Sequence, residues 1–296
     1  MASRKKPTSR ATKILYSVFI VLFIIVLIAS FYFYSLMQNI FCSAQDEKHY
    51  VSPRPPQKNK NINVLLLGID ADITDGSRTD TIMVVSFDPE GEGASMLSIP
   101  RDTYVNIKGY GYDKINHAHS YGGIPLTLET VEKLLGLEMN YYARINLQGF
   151  EAIVDLLGGV VIDVEPEIAR VEPILRSGSQ RLSGREALSY VRVRKVGSDF
   201  GRIQRQQEFL LAVARQSLNA SNVTKMPRFV NLLGDNLITN IPPLKMPQLG
   251  QKLLRINLDS VKSGYLPGED AYINGVYYYI LDEAGKQQML KDLDMR

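Results

Sequence analysis

Short apolar runs, separated by polar or glycine-rich connections, recur along the chain from about residue 61 onward. Runs rich in β-branched residues and bounded by Gly, Pro or Asp are typical of buried strands. They predict strands at 62–69, 81–88, 94–99, 141–145 and 160–164. Apolar residues recur at helical spacing in 125–135 and 147–157, and each of these predicted helices ends at glycine. The alternation of strands and helices favours a layered α/β fold.

An arginine-rich segment follows the last of these strands. Ser183 and Glu186 have the spacing of a capping box, which predicts a short helix that ends near Leu188. Valine and arginine alternate in the residues after it, so in an extended strand Arg192 and Arg194 would share one face. Such arginines can protect the edge of a sheet or bind a ligand.

A longer helix is predicted next, beginning at Ser198 or Asp199 and running to about Leu218. Spacings of three and four bring polar residues onto one face of this helix. These residues are Arg202, Arg205 and Gln206. Both arginine-bearing elements can therefore point toward a common ligand.

The C-terminal quarter gives fewer signals. Its patterns predict helices at 227–233 and 246–256, a late hairpin from 261–266 and 272–279, and a closing helix at 282–293. The run Tyr277-Tyr278-Tyr279 indicates core and sheet surface rather than a binding platform.

A long apolar segment near the N-terminus predicts a membrane helix. Residues 14–37 carry no charge, and 24 residues in a helix span about 36 Å, enough to cross a bilayer core of about 30 Å. Residues 1–13 carry five basic residues and no acid, which predicts a cytoplasmic N-terminus. Residues 38–60 then form an extracytoplasmic linker, and 61–296 an extracytoplasmic domain. A cleaved signal peptide is the alternative, since small residues occupy 42–44.

Charge is distributed unevenly. The formal net charge is +3, but without the basic tail 29 Lys and Arg face 31 Asp and Glu, which does not suit a nucleic-acid-binding domain. The segment 176–205 nevertheless holds eight basic residues against two acids. Seven of the eight are arginine, whose planar fork matches phosphate oxygens. The single cysteine, Cys42, excludes an internal disulfide.

The candidate chemistry lies where the first strands end. Asp70 and Asp80 accompany Arg78 and the Arg101-Asp102 pair, and carboxylates beside guanidinium groups suit a divalent metal bound to a phosphate-bearing ligand. Isolated aspartates can also merely cap helices or end strands. His117 and His119 lie two residues apart and could bind metal, although loop packing is the expected role.

These residues fall within a longer succession of motifs over about residues 61–215, in which the sequence resembles the LytR-CpsA-Psr family of cell-envelope proteins. The motifs that carry the resemblance are Leu65-Leu66-Leu67-Gly68-Ile69-Asp70, Arg78-Thr79-Asp80-Thr81, Ser98-Ile99-Pro100-Arg101-Asp102-Thr103-Tyr104, Lys114-Ile115-Asn116-His117-Ala118, Tyr121-Gly122-Gly123, Val154-Asp155-Leu156-Leu157-Gly158-Gly159-Val160, Leu182-Ser183-Gly184-Arg185-Glu186-Ala187-Leu188, Tyr190-Val191-Arg192-Val193-Arg194 and Asp199-Phe200-Gly201-Arg202-Ile203-Gln204-Arg205-Gln206. The sequence departs from the family pattern in a short Asp70–Asp80 connection and in Thr79, where the family usually has serine.

The resemblance implies a mixed central sheet layered between helices. It also implies a phosphotransferase that moves an anionic glycopolymer from a polyprenyl-pyrophosphate carrier to a peptidoglycan hydroxyl. Asp70, Asp80 and Arg101 would be catalytic, with Mg²⁺ or Mn²⁺ at Asp70 and Asp80, and one of the two carboxylates is our hypothesis for the base. The residues implied for the pyrophosphate and the structure around it are Arg78, Arg101, Arg192, Arg194, Arg202, Arg205 and Gln206.

Other functions stay open at this point. The domain could bind a lipid-linked polymer without catalysis, or hydrolyse the carrier as a pyrophosphatase. A transcriptional attenuator conflicts with the predicted orientation, which places a single-pass protein in the cell membrane with its C-terminal domain outside. The expected partners are therefore the membrane, the lipid-linked glycopolymer and peptidoglycan, and not nucleic acid.

Overall fold

The computed structural model describes residues 51–58, 60–70, 77–88, 90, 93–194, 196, 198–217, 236–242 and 245–295. The predicted tail, membrane helix and first part of the linker, and the helix predicted at 227–233, lie outside these residues. Among the helices of the described part, none is both long and apolar enough to cross a bilayer.

Strands and helices alternate through the described residues. The strands are β1 (Ile62–Ile69), β2 (Thr79–Phe87), β3 (Ala94–Ser98), β4 (Tyr104–Ile107), β5 (Gly111–Lys114), β6 (Tyr141–Ile145), β7 (Val160–Val164), β8 (Gly178–Leu182), β9 (Leu237–Thr239), β10 (Lys262–Tyr265), β11 (Gly268–Ile273) and β12 (Val276–Leu281). The helices are α1 (His117–Leu135), α2 (Leu147–Leu156), α3 (Pro166–Val171), α4 (Gly184–Arg192), α5 (Ser198–Ser217), α6 (Met246–Leu253) and α7 (Glu283–Asp292), with a 3₁₀ turn at Leu258–Ser260.

Six strands form the central sheet in the order β10-β3-β2-β1-β6-β9. The β1–β6 and β10–β3 pairs are parallel, whereas β1–β2, β2–β3 and β6–β9 are antiparallel. The sheet is therefore mixed, as expected. Three two-stranded ribbons, β4–β5, β7–β8 and β11–β12, complete the described strands.

Both faces of the sheet are covered by helices. Leu65 and Leu97 are fully buried in a core shared with Val131 of α1 and Leu290 of α7. On the opposite face, Met83 packs with leucines of α5, and Val64 packs with Leu249 of α6. Because side chains alternate across a strand, burial of both faces produces the near-continuous apolar runs seen in the sequence.

A smaller core lies beside the sheet. The β7–β8 ribbon packs with α2, α3 and α4 around Val160, Ile168, Leu182 and Tyr190. Ser183 caps α4, and the predicted capping box is present with Glu186. This cap stabilises the first turn of α4, the helix that carries Arg185 and Arg192.

Three sequence expectations need correction. Helix α4 continues to Arg192, so Arg192 and Arg194 do not lie on one face of a strand. Strand β10 does not form a hairpin with the tyrosine run, because it pairs in parallel with β3 inside the central sheet. The late hairpin is β11–β12, and its turn is Asn274-Gly275, with both residues at positive φ.

The folded domain also begins earlier than residue 61. Val51 packs against the main core, and its carbonyl accepts a hydrogen bond from Asn240. The amide of Arg54 donates to the Asn140 carbonyl at 3.1 Å, while its side chain forms an ion pair with Glu132. Residues 51–58 therefore pack along the domain surface.

Candidate active site

The ends of β1 and β2 bring the predicted carboxylates to one edge of the sheet. Ile69 pairs with Thr79, so Asp70 and Arg78 continue from neighbouring strands at the same end. Asp70 and Arg78 are exposed, whereas the Thr79 side chain beside Arg78 is fully buried. The charged groups therefore lie at the paired ends of two central strands.

Arg101 joins this edge from the segment after β3. Its guanidinium donates a hydrogen bond to Asp80, and its Nε lies 3.5 Å from Asp102 Oδ2. Lys114 Nζ lies 2.8 Å from the other oxygen of Asp102. The four side chains thus form a row of alternating charge, Asp80–Arg101–Asp102–Lys114. Because these side chains are at most 30% exposed, their interactions are less screened than those of surface pairs.

A second polar cluster lies beside this row, on the opposite side of β5. Asp113 accepts a hydrogen bond from the Tyr121 hydroxyl at 2.6 Å and lies 2.8 Å from His117 Nδ1. Burial favours a higher pKa for Asp113, but hydrogen bonds from Tyr121, His117 and the Lys114 amide lower its pKa overall. The bond to Asp113 raises the pKa of Tyr121, which the charge of Arg78 opposes. The cluster therefore lies within electrostatic reach of the predicted site.

The glycine pair in α1 makes this cluster possible. Gly122 and Gly123 have non-helical backbone angles, and φ of Gly123 is +60°. A residue with a side chain is strained there, because Cβ crowds the backbone at positive φ. The resulting kink separates the first turn, which carries His117 and Tyr121, from the regular helix that the sequence predicts from Pro125 onward.

The histidines have partners in the protein. His119 is 5% exposed, and its Nδ1 lies 2.8 Å from the Ser77 carbonyl. Its Nε2 lies 3.3 Å from Arg144. His119 therefore joins α1 to the residues before β2 and to β6, whereas His117 joins α1 to Asp113 of β5.

The arginines of α4 and the following segment line a groove. Arg192 and Arg194 are exposed and line a groove of about 660 Å³. The other residues that line the groove are Glu151, Val171, Glu172, Ile174, Arg185, Leu188, Ser189 and Val193. A groove with three arginines and an apolar wall can accept an anionic chain that also carries apolar groups.

Arg205 is directed into the protein. It is 4% exposed, and its Nη2 donates to the Val193 carbonyl at 2.5 Å and to the Val196 carbonyl at 3.4 Å. Burial lowers the pKa of this guanidinium. Gln206 donates to the Val191 carbonyl at 3.4 Å. Both side chains therefore bind the backbone around Arg194 and position it.

Helix α5 packs its first turns beside the charged row. Phe200 stacks on Tyr265 with ring centroids 4.6 Å apart and lies edge-on to Tyr279 at 5.7 Å. The amide of Tyr279 donates to the Asp102 carbonyl at 2.9 Å. Arg202, on the same helix, is 5% exposed. The helix that carries Arg202 and Arg205 thus contacts the strand next to Arg101.

Sequence reasoning did not assign Asp113, Lys114, Tyr121 or Tyr279 to the site. A signal existed for the first three, because they lie in or beside the motifs that begin at Lys114 and Tyr121. Tyr279 had none, because its contact with Asp102 joins segments 177 positions apart in the sequence. Such long-range contacts leave no local pattern.

The carboxylates suit a magnesium ion only in part. Within the described residues, no group of three or more His, Cys, Asp or Glu side chains is arranged to hold a metal. Magnesium sites in phosphate-transferring proteins commonly use one or two carboxylates and complete their shell with water and substrate phosphate. Asp70 and Asp80, at the same end of β1 and β2, are two such carboxylates, and Asp80 also accepts a hydrogen bond from Arg101.

Comparisons with known proteins identify the family of this chain. The teichoic acid transferase TagT of Bacillus subtilis is 38% identical over 274 residues, covering 85% of this chain and 84% of TagT. A solved structure described as TagT bound to LIIa-WTA has a TM-score of 0.70 and 38% identity, covering 85% of this chain and 96% of that one. Another, with bound octaprenyl pyrophosphate lipid, has a TM-score of 0.65 and 34% identity, covering 81% and 92%. The LytR_cpsA_psr family model matches residues 30–295, and the chain therefore belongs to the LytR_cpsA_psr family.

Proposed function

We propose that this protein is a membrane-anchored phosphotransferase that transfers an anionic glycopolymer from a polyprenyl-pyrophosphate carrier to a peptidoglycan hydroxyl. The observation that carries the proposal is the contact of Arg101 with Asp80 at the sheet edge shared by Asp70 and Arg78. It is supported by relatives named as polyisoprenyl-teichoic acid–peptidoglycan teichoic acid transferases. The anchor is the apolar segment 14–37, which keeps the domain near a carrier embedded in the membrane.

The reaction is a substitution at phosphorus. The acceptor oxygen attacks the phosphorus that bears the glycopolymer, and a new P–O bond forms. The bond from that phosphorus to the bridging oxygen breaks, and polyprenyl phosphate leaves with the electron pair. The hydroxyl proton passes to a base, for which Asp70 or Asp80 is our candidate. Phosphoryl transfer depends mainly on positioning and on neutralising the phosphate oxygens.

The protein supplies that neutralisation from two directions. Arg101, held by Asp80 and Asp102, presents its guanidinium at the sheet edge, with Arg78 nearby. Arg192 and Arg194 lie along the groove and can hold the anionic donor. A bound Mg²⁺ or Mn²⁺, held by Asp70 and Asp80, would add charge neutralisation at the pyrophosphate.

The test is a transfer assay with the full-length protein in detergent. The substrates are a short polyprenyl-pyrophosphate-linked glycan and peptidoglycan fragments, with Mg²⁺, and mass spectrometry follows the products. We expect a phosphodiester-linked glycan that disappears in chelator, in Asp80→Asn and in Arg101→Ala. The matched controls are Asp259→Asn and Arg215→Ala, which alter an exposed ion pair of the same type, 2.7 Å long.

Other products would redirect the proposal. Polyprenyl phosphate released without a linked glycan would indicate a pyrophosphatase. Carrier binding without turnover at any metal concentration would indicate a non-catalytic binding protein. Equal loss of product in the control variants would remove the Asp80–Arg101 pair from the chemistry.

A further inference from the structure

Three tyrosines form a row on the outer face of the β4–β5 ribbon. Tyr104 pairs with Lys114 in the ladder, so Tyr112, two residues before Lys114, lies on the same face. The Tyr104 ring centroid is 5.1 Å from that of Tyr112 and 4.8 Å from that of Tyr278 in β12. We call Tyr112, Tyr104 and Tyr278 the tyrosine row.

The row is exposed at one end and adjoins the charged site at the other. Tyr112 is 62% exposed, although aromatic rings are usually covered. Lys114 lies 5.8 Å from the centroid of the Tyr278 ring and contacts Asp102, which contacts Arg101. A ligand bound along the row would therefore lie next to the charged side chains that include Arg101.

The row lies on the opposite side of β12 from the arginine-bearing helix. Tyr279 is 2% exposed and packs against Phe200 of α5, and this burial raises its pKa to about 12. Successive side chains of a strand point to opposite faces, so Tyr278 points away from α5 and meets Tyr104. The tyrosine row and the helix that carries Arg202 and Arg205 therefore lie on opposite faces of β12.

The surface around the row has little net charge. Lys114 is matched by Asp102, and Lys108, at the tip of the ribbon, forms a 2.7 Å ion pair with Glu129. An anionic polymer gains little from such a surface and more from the arginine groove. Sugar rings suit it better, because the C–H face of a pyranose packs on an aromatic ring while its hydroxyls bond to neighbouring polar groups.

We propose that the tyrosine row is the acceptor subsite, where consecutive N-acetylhexosamine rings of a peptidoglycan strand stack on Tyr112 and Tyr104 and extend toward Arg101. This inference rests on the proposed function. It assigns a binding role to Tyr278, for which the sequence predicts only core or sheet surface. Tyr104 is half-buried and contacts both other rings of the row, whereas the Tyr112 ring is exposed and accessible to a ligand.

The experiment compares three variants of the full-length protein in detergent. Tyr112→Ala removes the ring, Tyr112→Phe keeps it, and Tyr272→Ala removes a 75% exposed tyrosine that contacts Tyr277 outside the row. We expect Tyr112→Ala to raise the KM for peptidoglycan fragments about three- to tenfold, the value of one aromatic stacking contact. The KM for the lipid-linked donor should stay within twofold. Tyr112→Phe should recover most of the acceptor affinity lost in Tyr112→Ala, and both KM values in Tyr272→Ala should stay within twofold.

A binding titration separates this inference from the proposed function. The probe is the neutral β-1,4-linked tetramer of N-acetylglucosamine, and the signal is tyrosine fluorescence, which is direct because the chain has no tryptophan. If the wild-type protein shows no transfer, the proposed function fails. The glycan subsite would still be supported if the tetramer binds wild-type protein and Tyr272→Ala but not Tyr112→Ala. An unchanged acceptor KM and unchanged titration in Tyr112→Ala would overturn the subsite. A raised donor KM alone would assign the row to the donor glycan instead.

Discussion

Arg205 offers a test of whether a buried arginine acts on the ligand or on the protein. Its guanidinium donates to the carbonyls of Val193 and Val196, which flank Arg194. Val193 is also the C-cap residue of α4, at the negative end of the helix dipole. We consider Arg205→Met, which keeps much of the side-chain volume and removes every donor.

The expected change in the free energy of unfolding follows from the hydrogen bonds that Arg205 makes. The bond to Val193 is 2.5 Å and charge-assisted, and such bonds contribute about 1.5–3 kcal/mol, whereas the contacts to Val196 at 3.4 Å are long and contribute little. Removing a buried cation recovers some desolvation free energy, which offsets part of the loss. We expect Arg205→Met to lower the free energy of unfolding by about 1–3 kcal/mol. Arg205→Lys should fall between it and wild type, because an ammonium group lacks the planar fork.

The assay is urea unfolding of the full-length protein in detergent, followed by near-ultraviolet circular dichroism, together with transfer kinetics. Loss of stability should accompany a raised KM for the donor, because Arg194 loses its support. Gln204→Ala is the control, since Gln204 is exposed on the same helix and contacts only Glu208 among the contacts described. Unchanged stability together with abolished transfer would refute this reasoning and place Arg205 on the pyrophosphate.

Three further outcomes are expected. Arg101→Ala should reduce the transfer rate by about 10³-fold or more, as is typical of a guanidinium that stabilises phosphoryl transfer. The circular dichroism spectrum should stay native. A transfer rate within tenfold of wild type would remove Arg101 from the chemistry. Despite burial, hydrogen bonds lower the pKa of Asp113 in the folded protein, so its contribution to stability is present above the pKa of the unfolded state and is lost as the pH falls through the lower folded pKa. Unfolding between pH 2.5 and about pH 6 should therefore be less pH-dependent in Asp113→Asn than in the Asp259→Asn control. Gly275→Ala should lower the free energy of unfolding by about 1–2 kcal/mol, because φ is +79° at this position. The control Gly250→Ala, in α6, should not destabilise the protein. Equal thermal unfolding midpoints for the two variants would contradict the assigned turn.

Local signals in the sequence predicted much of the central sheet. Strands β1 and β6 of the central sheet and β7 of the ribbon have the predicted bounds, and the closing helix lies within the predicted 282–293. Arg192 was misplaced because alternating valine and arginine has the period of a strand. Tertiary packing decides otherwise: the capping box at Ser183 starts a helix, and burial of Tyr190 and Val191 against the smaller core continues it.

The late hairpin was misplaced for a different reason. Its turn, Asn274-Gly275, is a strong local signal, but the pairing partner of β12 was taken to be β10. Strand β10 instead pairs with β3, more than 160 residues earlier in the sequence. Parallel pairing over such a separation depends on how the helices bring the strands together, and no local pattern encodes it.

The C-terminal segment carries no motif, yet it forms part of the candidate site. Strand β10 is an edge strand of the central sheet and pairs with β3. The segment that carries Arg101 follows β3 directly in the chain. The Ser95 hydroxyl donates to the Leu293 carbonyl at 2.6 Å, which fixes the end of α7 to the same strand. Tyr279 bonds to Asp102 on one side of β12, and Tyr278 meets the tyrosine row on the other. The position of Arg101 thus depends on contacts with the C-terminal segment, which lies within the family match to residue 295 although the charged motifs end near 206.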